Sequence, residues 1–269
     1  MTTAQELYGA GRLTDAIAAQ NEAVKKKPGD VDARAFLCEL LCIAGNLDRA
    51  DQQLEALSAQ ASDRGPGIAL LRQLIRGEQW RRQFWAEGRV PEVVASPGER
   101  MQLLFEASLR VRENAPGEAA RLLESAEEAR PALAGTCDGV EFDDLRDLDD
   151  RVGGVFEILS TTGKYFWIAG EQLESLEFDA PERPLDLLWR PAAISVRGGP
   201  SGKVYMPAIY APFVAGAEPG SDDALRLARR TDWTGGDNSP VRGHGQRALL
   251  VGDAERPLLE ITHIEVRAG

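Results

Sequence analysis

Apolar positions recur at helical intervals in the first half of the chain. The segment from Ala10 to Ala16 returns 34 residues later, from Ala44 to Ala50, each copy with glycine second and leucine fourth. A period of 34 residues is that of the tetratricopeptide repeat, a hairpin of two helices. Small residues let the helices approach closely, glycine permits the turn, and proline ends the second helix. The pattern predicts stacked helical hairpins.

A related spacing predicts a third hairpin near the end of this half. An alanine, a second alanine seven residues later and a proline five residues further on occur twice in the chain: Ala16, Ala23 and Pro28, then Ala119, Ala126 and Pro131. Residues 68–94 between the hairpins are predicted as a longer helical segment. Its end, EGRVPEVV (87–94), is interpreted as the turn and second helix of a degenerate or inserted unit.

The second half changes to short runs rich in β-branched and aromatic residues, bounded by Gly, Pro, Ser or Asp. Strands are predicted at 155–159, 164–169, 173–178, 192–196, 203–210 and 247–252. A short helix capped by Ser221 and a loop at 234–245 are predicted among them. The predicted fold class is α+β. A tetratricopeptide-like α-α superhelix, residues 1–136, precedes a β-rich, mainly antiparallel small sheet or partly closed barrel, residues 137–269.

An acidic stretch marks the junction between the two halves, with seven carboxylates from Asp138 to Asp150. Apolar residues recur through it at helical intervals: Phe142, Leu145, Leu148, Val152 and Val155. This spacing predicts that the second domain is entered through an acidic amphipathic helix whose polar face is solvated. The carboxylates predicted to face outward, as structure or as a partner-binding surface, are Asp143, Asp144, Asp147 and Asp150.

A metal-dependent hydrolase using Asp143, Asp147 and Asp150 is the alternative hypothesis for this stretch. Alignment of Asp147 and Asp149 to a calcium-binding EF-hand loop places Arg151 where an oxygen ligand is required. A carboxylate pair at Asp143 and Asp147 would still suit a hard cation held through waters. The structural interpretation is favoured, and neither a metal nor a cofactor is predicted. Metal analysis of protein purified without chelator separates the two hypotheses.

Residues typical of catalysis are scarce. The chain has two histidines, no HExxH and no GxSxG, so zinc-protease and serine-hydrolase arrangements are not supported. His244 is predicted to lie in a glycine-rich loop and His263 in a strand. Cys38 and Cys42 lie one helical turn apart in an apolar segment, which favours core packing. The protein is therefore predicted not to be an enzyme.

Charge and composition narrow the partners. The formal net charge is −12, which argues against nucleic acid, because phosphate recognition normally uses a basic surface. No apolar run reaches the roughly 18 residues of a membrane span, and the N-terminus lacks the pattern of a secretory signal. Three cysteines without a repeated pair spacing agree with a reducing compartment. A cytoplasmic protein is predicted.

Several segments, taken in order, resemble one protein family. They include LYGAGRLTDAIAAQNEAV, LLRQLIRGEQWRRQF, FDDLRDLDDRVGGVFEIL, KYFWI, DLLWRPAAISV and GKVYMPAIY, and they extend over nearly the whole chain. The part after residue 215 adds less, with TDW and PVRGHGQR. On these motifs the chain is identified as a member of the ImpE family, also called SciE or TagJ.

The resemblance implies an accessory cytoplasmic component of type VI secretion, with no catalytic residue to carry over. It also implies binding to the contractile sheath, through a helix at the N-terminus of the small sheath subunit. An influence on sheath recycling by the AAA+ unfoldase, an ATPase, is implied as well. The leading hypothesis is a non-enzymatic adaptor.

Stacked hairpins offer a place for such a helix. Their concave surface is lined by the first helix of each pair and commonly holds a peptide or helix. If Val31 begins the first helix of the second hairpin, the residues predicted to face this groove are Asp32, Ala35, Glu39 and Cys42. An amphipathic partner helix that is basic on one side would suit an acidic protein.

Overall fold

The structure of the protein, a computed structural model, describes residues 2–211 and 222–268. The helices of the first half are α1 (Ala4–Gly9), α2 (Leu13–Lys26), α3 (Val31–Ile43), α4 (Leu47–Gln60), α5 (Gly65–Glu87), α6 (Glu99–Arg112) and α7 (Pro116–Glu128). Three hairpins form from consecutive helices, α1 with α2, α3 with α4 and α6 with α7. The predicted tetratricopeptide-like helical region is confirmed.

The turn of each hairpin has one residue in the left-handed backbone region. The φ angle is 80° at Gly11, 79° at Gly45 and 57° at Asn114. Glycine adopts this conformation without steric cost, and asparagine tolerates it better than most residues. In all three turns the next residue donates its N–H to a carbonyl five positions earlier. The repeated sequence motif therefore encodes one local geometry.

Strands dominate the second half of the chain. They are β1 (Glu92–Val93), β2 (Gly135–Cys137), β3 (Val140–Phe142), β4 (Leu145–Asp147), β5 (Val155–Ser160), β6 (Tyr165–Ala169), β7 (Leu173–Phe178), β8 (Trp189–Val196), β9 (Ser201–Pro207), β10 (Thr231–Gly236), β11 (Ser239–Gly245), β12 (Ala248–Val251), β13 (Ala254–Pro257) and β14 (His263–Val266). A single helical turn, α8 (Asp223–Arg226), precedes β10. Ser221, its predicted cap, lies outside the described residues, and the Asp222 side chain accepts the N–H of Ala224 there.

The largest sheet of the described chain has the order β1-β6-β5-β9-β8-β7-β14-β2-β3. Its pairings are antiparallel except that of β1 with β6, which is parallel. Strands β13, β12 and β4 form a second sheet, and β10 pairs with β11. The mainly antiparallel sheet is thus confirmed. The sheet stays open, with β1 and β3 at its edges, so the partly closed barrel is not formed.

Two local predictions were wrong because strands replace the expected structure. The end of the long helical segment does not form a second helix: α5 ends at Glu87, Gly88 caps it with φ 85°, and β1 joins the sheet. Valines and Pro91 in this segment disfavour a helix. The predicted loop at 234–245 is mostly a hairpin of β10 and β11. His244 lies in that hairpin, with Nε2 2.8 Å from Oγ1 of Thr234.

The acidic amphipathic helix is also absent from the structure. Strand β2 ends just before this stretch, and β3, β4 and one turn of 3-10 helix (Asp150–Val152) follow in place of the helix. Asp138 and Gly139 both have positive φ, 51° and 79°, as the two-residue turn of a β-hairpin requires. The predicted division after residue 136 falls inside β2, which pairs with the C-terminal strand β14.

One hydrophobic core extends across both halves of the protein. The ring of Trp167 on β6 lies 4.9 Å from that of Phe84 and 6.0 Å from that of Trp85, both on α5. Phe105 of α6 stacks on the same indole at 5.4 Å. Since aromatic side chains bury large areas, these contacts bind the helices firmly to the sheet. Helices α5 and α6 are therefore packed directly on the sheet.

Candidate partner-binding groove

A groove opens between α3, α4 and the beginning of α5. Its volume is about 350 Å³, and the segment that leads into β8 contributes to its lining. The floor is apolar, with side chains from α4, from α5 and from that segment: Leu54, Leu57, Ile68, Leu71, Leu74 and Leu185. Arg64 and Arg183 lie at its rim. The groove has the chemistry of a surface that takes up an apolar helix face.

The wall formed by α3 follows from its sequence. Asp30 caps the helix by accepting the N–H of Ala33 at 2.9 Å, so the helix begins at Val31 as predicted. Most apolar residues of α3 are buried against neighbouring helices, whereas Ala35 and Glu39 are partly exposed and line the groove. Positions i and i+4 lie on one face of a helix. The small side chain of Ala35 leaves the groove open beside the Glu39 carboxylate.

The charged groups of the groove are mostly paired. Arg64 lies 2.7 Å from Asp32, and Arg183 lies 3.2 Å from Asp186. The buried Asp186 carboxylate also accepts the N–H groups of Glu182 and Arg183, both at 3.0 Å, which holds the segment before β8 in place. For the Glu39 carboxylate, no hydrogen bond or ion pair is found within the described residues.

The environment of Glu39 favours its neutral form. Burial raises the pKa of this carboxyl from 4.5 to about 7, the positive charge of Arg183 acts in the opposite direction, and the negative charge of Asp186 adds to the rise. Burial acts this way because a carboxylate loses hydration that apolar neighbours do not replace. The groove therefore contains a carboxyl that titrates near neutral pH.

Replacement of Glu39 by glutamine is expected to stabilise the folded protein at neutral pH. The folded pKa exceeds the unfolded value, so the stability due to protonation is complete below pH 4.5 and is lost as the pH rises through 7. The glutamine side chain does not titrate, so the variant keeps its stability over this pH range. The gain in unfolding free energy over wild type should grow across that window to about 1–3 kcal/mol. Urea denaturation from pH 4 to pH 8 measures it, with the exposed Glu55→Gln as control; parallel curves would contradict the prediction.

The structure places the four predicted groove residues differently. Ala35 and Glu39 line the groove. Asp32 is exposed and forms an ion pair with Arg64 at the rim. Cys42 is fully buried, so its predicted exposure to the groove is wrong. Burial raises the pKa of the Cys42 thiol, and the negative charge of Glu78 on α5 adds to the rise. Just past this end of α3, Arg82 of α5 donates a hydrogen bond to the carbonyl of Gly45.

The four predicted carboxylates of the acidic stretch do not form one exposed surface. Asp143 is exposed. Asp144 accepts two hydrogen bonds from Arg130, at 2.5 and 2.7 Å, which with the N–H of Leu133 lower the pKa of its carboxyl to about 2. Asp150 is half-buried and accepts the N–H of Val241 at 2.7 Å.

Asp147 contradicts the prediction most directly, because it is buried. Its carboxylate accepts the Tyr210 hydroxyl at 2.9 Å and the N–H of Asp149 at 2.8 Å. The structure thus does not bring the carboxylates of the hydrolase hypothesis together. Among the residues described, no group of three or more His, Cys, Asp or Glu side chains is placed to hold a metal ion.

Asp147 instead belongs to a buried network of ions. Arg81 of α5 donates two hydrogen bonds to Glu157 of β5, both 2.9 Å long. Arg247 also donates to Glu157 and approaches Asp147, with its Nε 3.4 Å from Oδ2. The network joins α5 to the large sheet through Glu157 of β5 and to the second sheet through Asp147 of β4. Because every member is at most 4% exposed, its role is structural rather than that of a binding surface.

Sequence reasoning missed part of the groove. Ile68 and Leu71 lie in the helical segment interpreted as degenerate or inserted, although their apolar spacing was a usable signal. Arg64, at the start of α5, lines the groove together with these two residues. Leu185 and Arg183 gave no signal, because only the folded chain brings that segment beside α3.

Fold and groove together define a class: tetratricopeptide-type hairpins packed on an open antiparallel sheet, with a groove large enough for side chains of a helix. The tetratricopeptide repeat model matches residues 7–75, which include the groove helices α3 and α4. The model of the ImpE protein matches residues 139–265, the strand-rich half. Within the described chain, no helix has both the length and the apolar character needed to cross a membrane.

Whole-chain similarity extends these matches. The type VI secretion system accessory component TagJ of Pseudomonas aeruginosa is 34% identical over 97% of this chain and 90% of its own length. The X-ray crystal structure of protein VPA1032 from Vibrio parahaemolyticus superposes with a TM-score of 0.90 at 29% identity, covering 98% of this chain and 97% of that one. The chain belongs to the ImpE family, of which TagJ is a member.

Proposed function

We propose that the protein is a non-enzymatic adaptor of a type VI secretion system, acting in the cytoplasm, that holds the N-terminal helix of the small sheath subunit. Its relative from Pseudomonas aeruginosa is named as an accessory component of that system. The observation that carries the proposal is the groove of about 350 Å³ with an apolar floor. An amphipathic helix binds such a groove by inserting its apolar side chains.

Both halves of the chain contribute to the proposed binding site. The groove lies in the helical half and is completed by Leu185 from the strand-rich half, so both halves position the bound helix. By holding a helix of the sheath subunit, the adaptor would influence assembly of the sheath or its recycling by the AAA+ ATPase. Ala35, Glu39 and the rim residue Asp32 are the proposed contacts.

Replacement of Ala35 by tryptophan is expected to block the groove. The indole would project from α3 into the space that the partner's side chains need, weakening binding of the small sheath subunit by at least about tenfold, or 1.4 kcal/mol. Co-purification with the sheath subunits and titration with the purified small subunit measure the effect. Deletion of that subunit's N-terminal segment should have the same consequence.

The matched control is Ala18→Trp, because Ala18 is exposed on α2 and does not line the groove. It should bind like wild type. Thermal unfolding of both variants checks that they are folded. Equal binding by folded Ala35→Trp and wild type, or binding that survives deletion of the N-terminal segment, would rule out the groove as the site.

A further inference from the structure

One carboxylate of the groove has no ion-pair partner among the described residues. Asp32 is matched by Arg64, and Asp186 by Arg183, each pair within hydrogen-bonding distance. Glu39 is the remaining charged group that lines the groove, and the described residues offer it neither an ion pair nor a hydrogen bond. When ionised, it gives the groove an unmatched negative charge above an apolar floor.

The groups around Glu39 do not supply that missing partner. The loop before β8 presents Arg183 and Asp186, whose charges have opposite effects on the Glu39 carboxyl. On α1, burial raises the pKa of the Tyr8 phenol, the positive charge of Arg229 lowers it, and the negative charge of Glu39 adds to the rise. Cys38, adjacent on α3, is buried and its thiol pKa is raised to about 12, so it stays neutral. Across the groove, Arg64 remains paired with its own carboxylate.

We infer that Glu39 receives one cation, a lysine or arginine on the apolar face of the bound helix, and that this contact releases the proton held by Glu39. The inference rests on the proposed function and specifies the partner's chemistry. A cation brought to a partly desolvated carboxylate forms a stronger hydrogen bond than a neutral donor does. The same site selects against a helix with an acidic residue there, since two like charges would meet.

Because binding releases a proton from Glu39, the affinity for the partner helix should depend on pH. In the free protein the Glu39 carboxyl has a pKa of about 7, so at pH 6 it is mostly protonated. The partner's cation favours the ionised form and lowers that pKa. Binding at pH 6 therefore releases up to one proton, and affinity should increase about tenfold between pH 6 and pH 8. A groove that recognised only apolar surface would show neither effect.

The test titrates a synthetic peptide, the N-terminal segment of the small sheath subunit, into the full chain at pH 6 and pH 8. Calorimetry in two buffers with different heats of ionisation counts the protons released. Wild type and the control Glu55→Gln should bind about tenfold more tightly at pH 8 and release protons at pH 6. Glu39→Gln should bind with the same affinity at both pH values and release no proton.

A second set of titrations identifies the cation in the peptide. Each lysine and arginine of the peptide is replaced in turn by methionine. One of these replacements should remove the pH dependence of binding to wild type. The same replacement should leave the affinity for Glu39→Gln unchanged, as a double-mutant cycle requires. If Glu39→Gln keeps the pH dependence, or no peptide cation couples to it, the inference is overturned while groove binding stands. If the peptide binds neither wild type nor Glu55→Gln, the proposed function fails and the inference with it.

Discussion

Replacement of Glu157 by glutamine is expected to reduce the unfolding free energy by about 3–5 kcal/mol, because it leaves buried arginines without their counter-charge. Glu157 is 1% exposed and accepts hydrogen bonds from Arg81, Arg247 and the hydroxyl of Tyr165. Glutamine also directs an N–H₂ group towards these donors. The midpoint and slope of urea denaturation measure the loss.

The pH dependence of this stability has a defined sign. The positive charges of Arg81 and Arg247 outweigh burial, so the pKa of Glu157 is lowered far below its ordinary 4.5. The stabilising contribution is thus complete above pH 4.5 and is lost as the pH falls towards the folded pKa. Wild type should lose stability relative to Glu157→Gln across that acid range.

Two comparisons make the Glu157 prediction specific. Glu177→Gln removes the same charge from an exposed position on β7 and should change stability by less than about 0.5 kcal/mol. Arg247→Met combined with Glu157→Gln should cost less than the sum of the two single changes, because both remove the same ion pair. Additive losses, or a Glu157→Gln variant as stable as wild type, would contradict a coupled buried network.

Replacement of Trp167 by alanine is expected to cost about 3–5 kcal/mol, the range for a large aromatic side chain removed from a packed core. The indole is fully buried and contacts rings from α5 and α6, so its loss opens a cavity between helices and sheet. It also removes the hydrogen bond from Nε1 to the Tyr165 hydroxyl, 2.5 Å long. Calorimetry should show a single transition at lower temperature.

Trp80 provides the matched comparison for that change. It lies on α5 but is half-buried, with the guanidinium of Arg89 3.8 Å above its ring and its indole N–H bonded to the carbonyl of Val90. Its replacement by alanine should cost clearly less than that of Trp167. If the two variants unfold with equal midpoints, the aromatic cluster is not what joins the helices to the sheet.

The helical hairpins could be predicted because their signals are local. Gly11 and Gly45 stand where the backbone needs positive φ, and Asn114 replaces them in the third turn. The residues that follow at the same offset are fully buried alanines: Ala16, Ala50 and Ala119. Turn conformation and close helix contact each depend on a few neighbouring residues, so a repeated motif reveals both.

The acidic stretch was misassigned because its burial does not follow hydrophobicity. From Leu145 to Arg151 every second residue is buried, which is the period of a strand, but Asp147, Asp149 and Arg151 are charged. A pattern read from apolar residues alone therefore favoured a helix. Arg151 pairs with Asp149 at 2.5 Å inside the protein.

For the candidate groove, sequence indicated one wall and missed the others. Ala35 and Glu39 follow from the start of α3 and the spacing of one helical turn. The contribution of Leu185 and Arg183 depends on a segment about 150 residues further along the chain, whose position only the packed sheet defines. Cys42 shares the predicted face, yet it is fully buried.

By itself, the sequence determined where helices turn, where most strands of the large sheet run and which family the chain resembles. Tertiary structure alone decided which carboxylates are solvated, since Asp143 is exposed while Asp147 and Glu157 are enclosed with arginines from distant elements. The physical reason is that backbone conformation responds to adjacent residues, whereas hydration and pairing of a charge depend on whatever the fold brings beside it. Glu39 illustrates both effects. The local sequence determines its position on α3, whereas the assembled groove determines that its charge is unmatched.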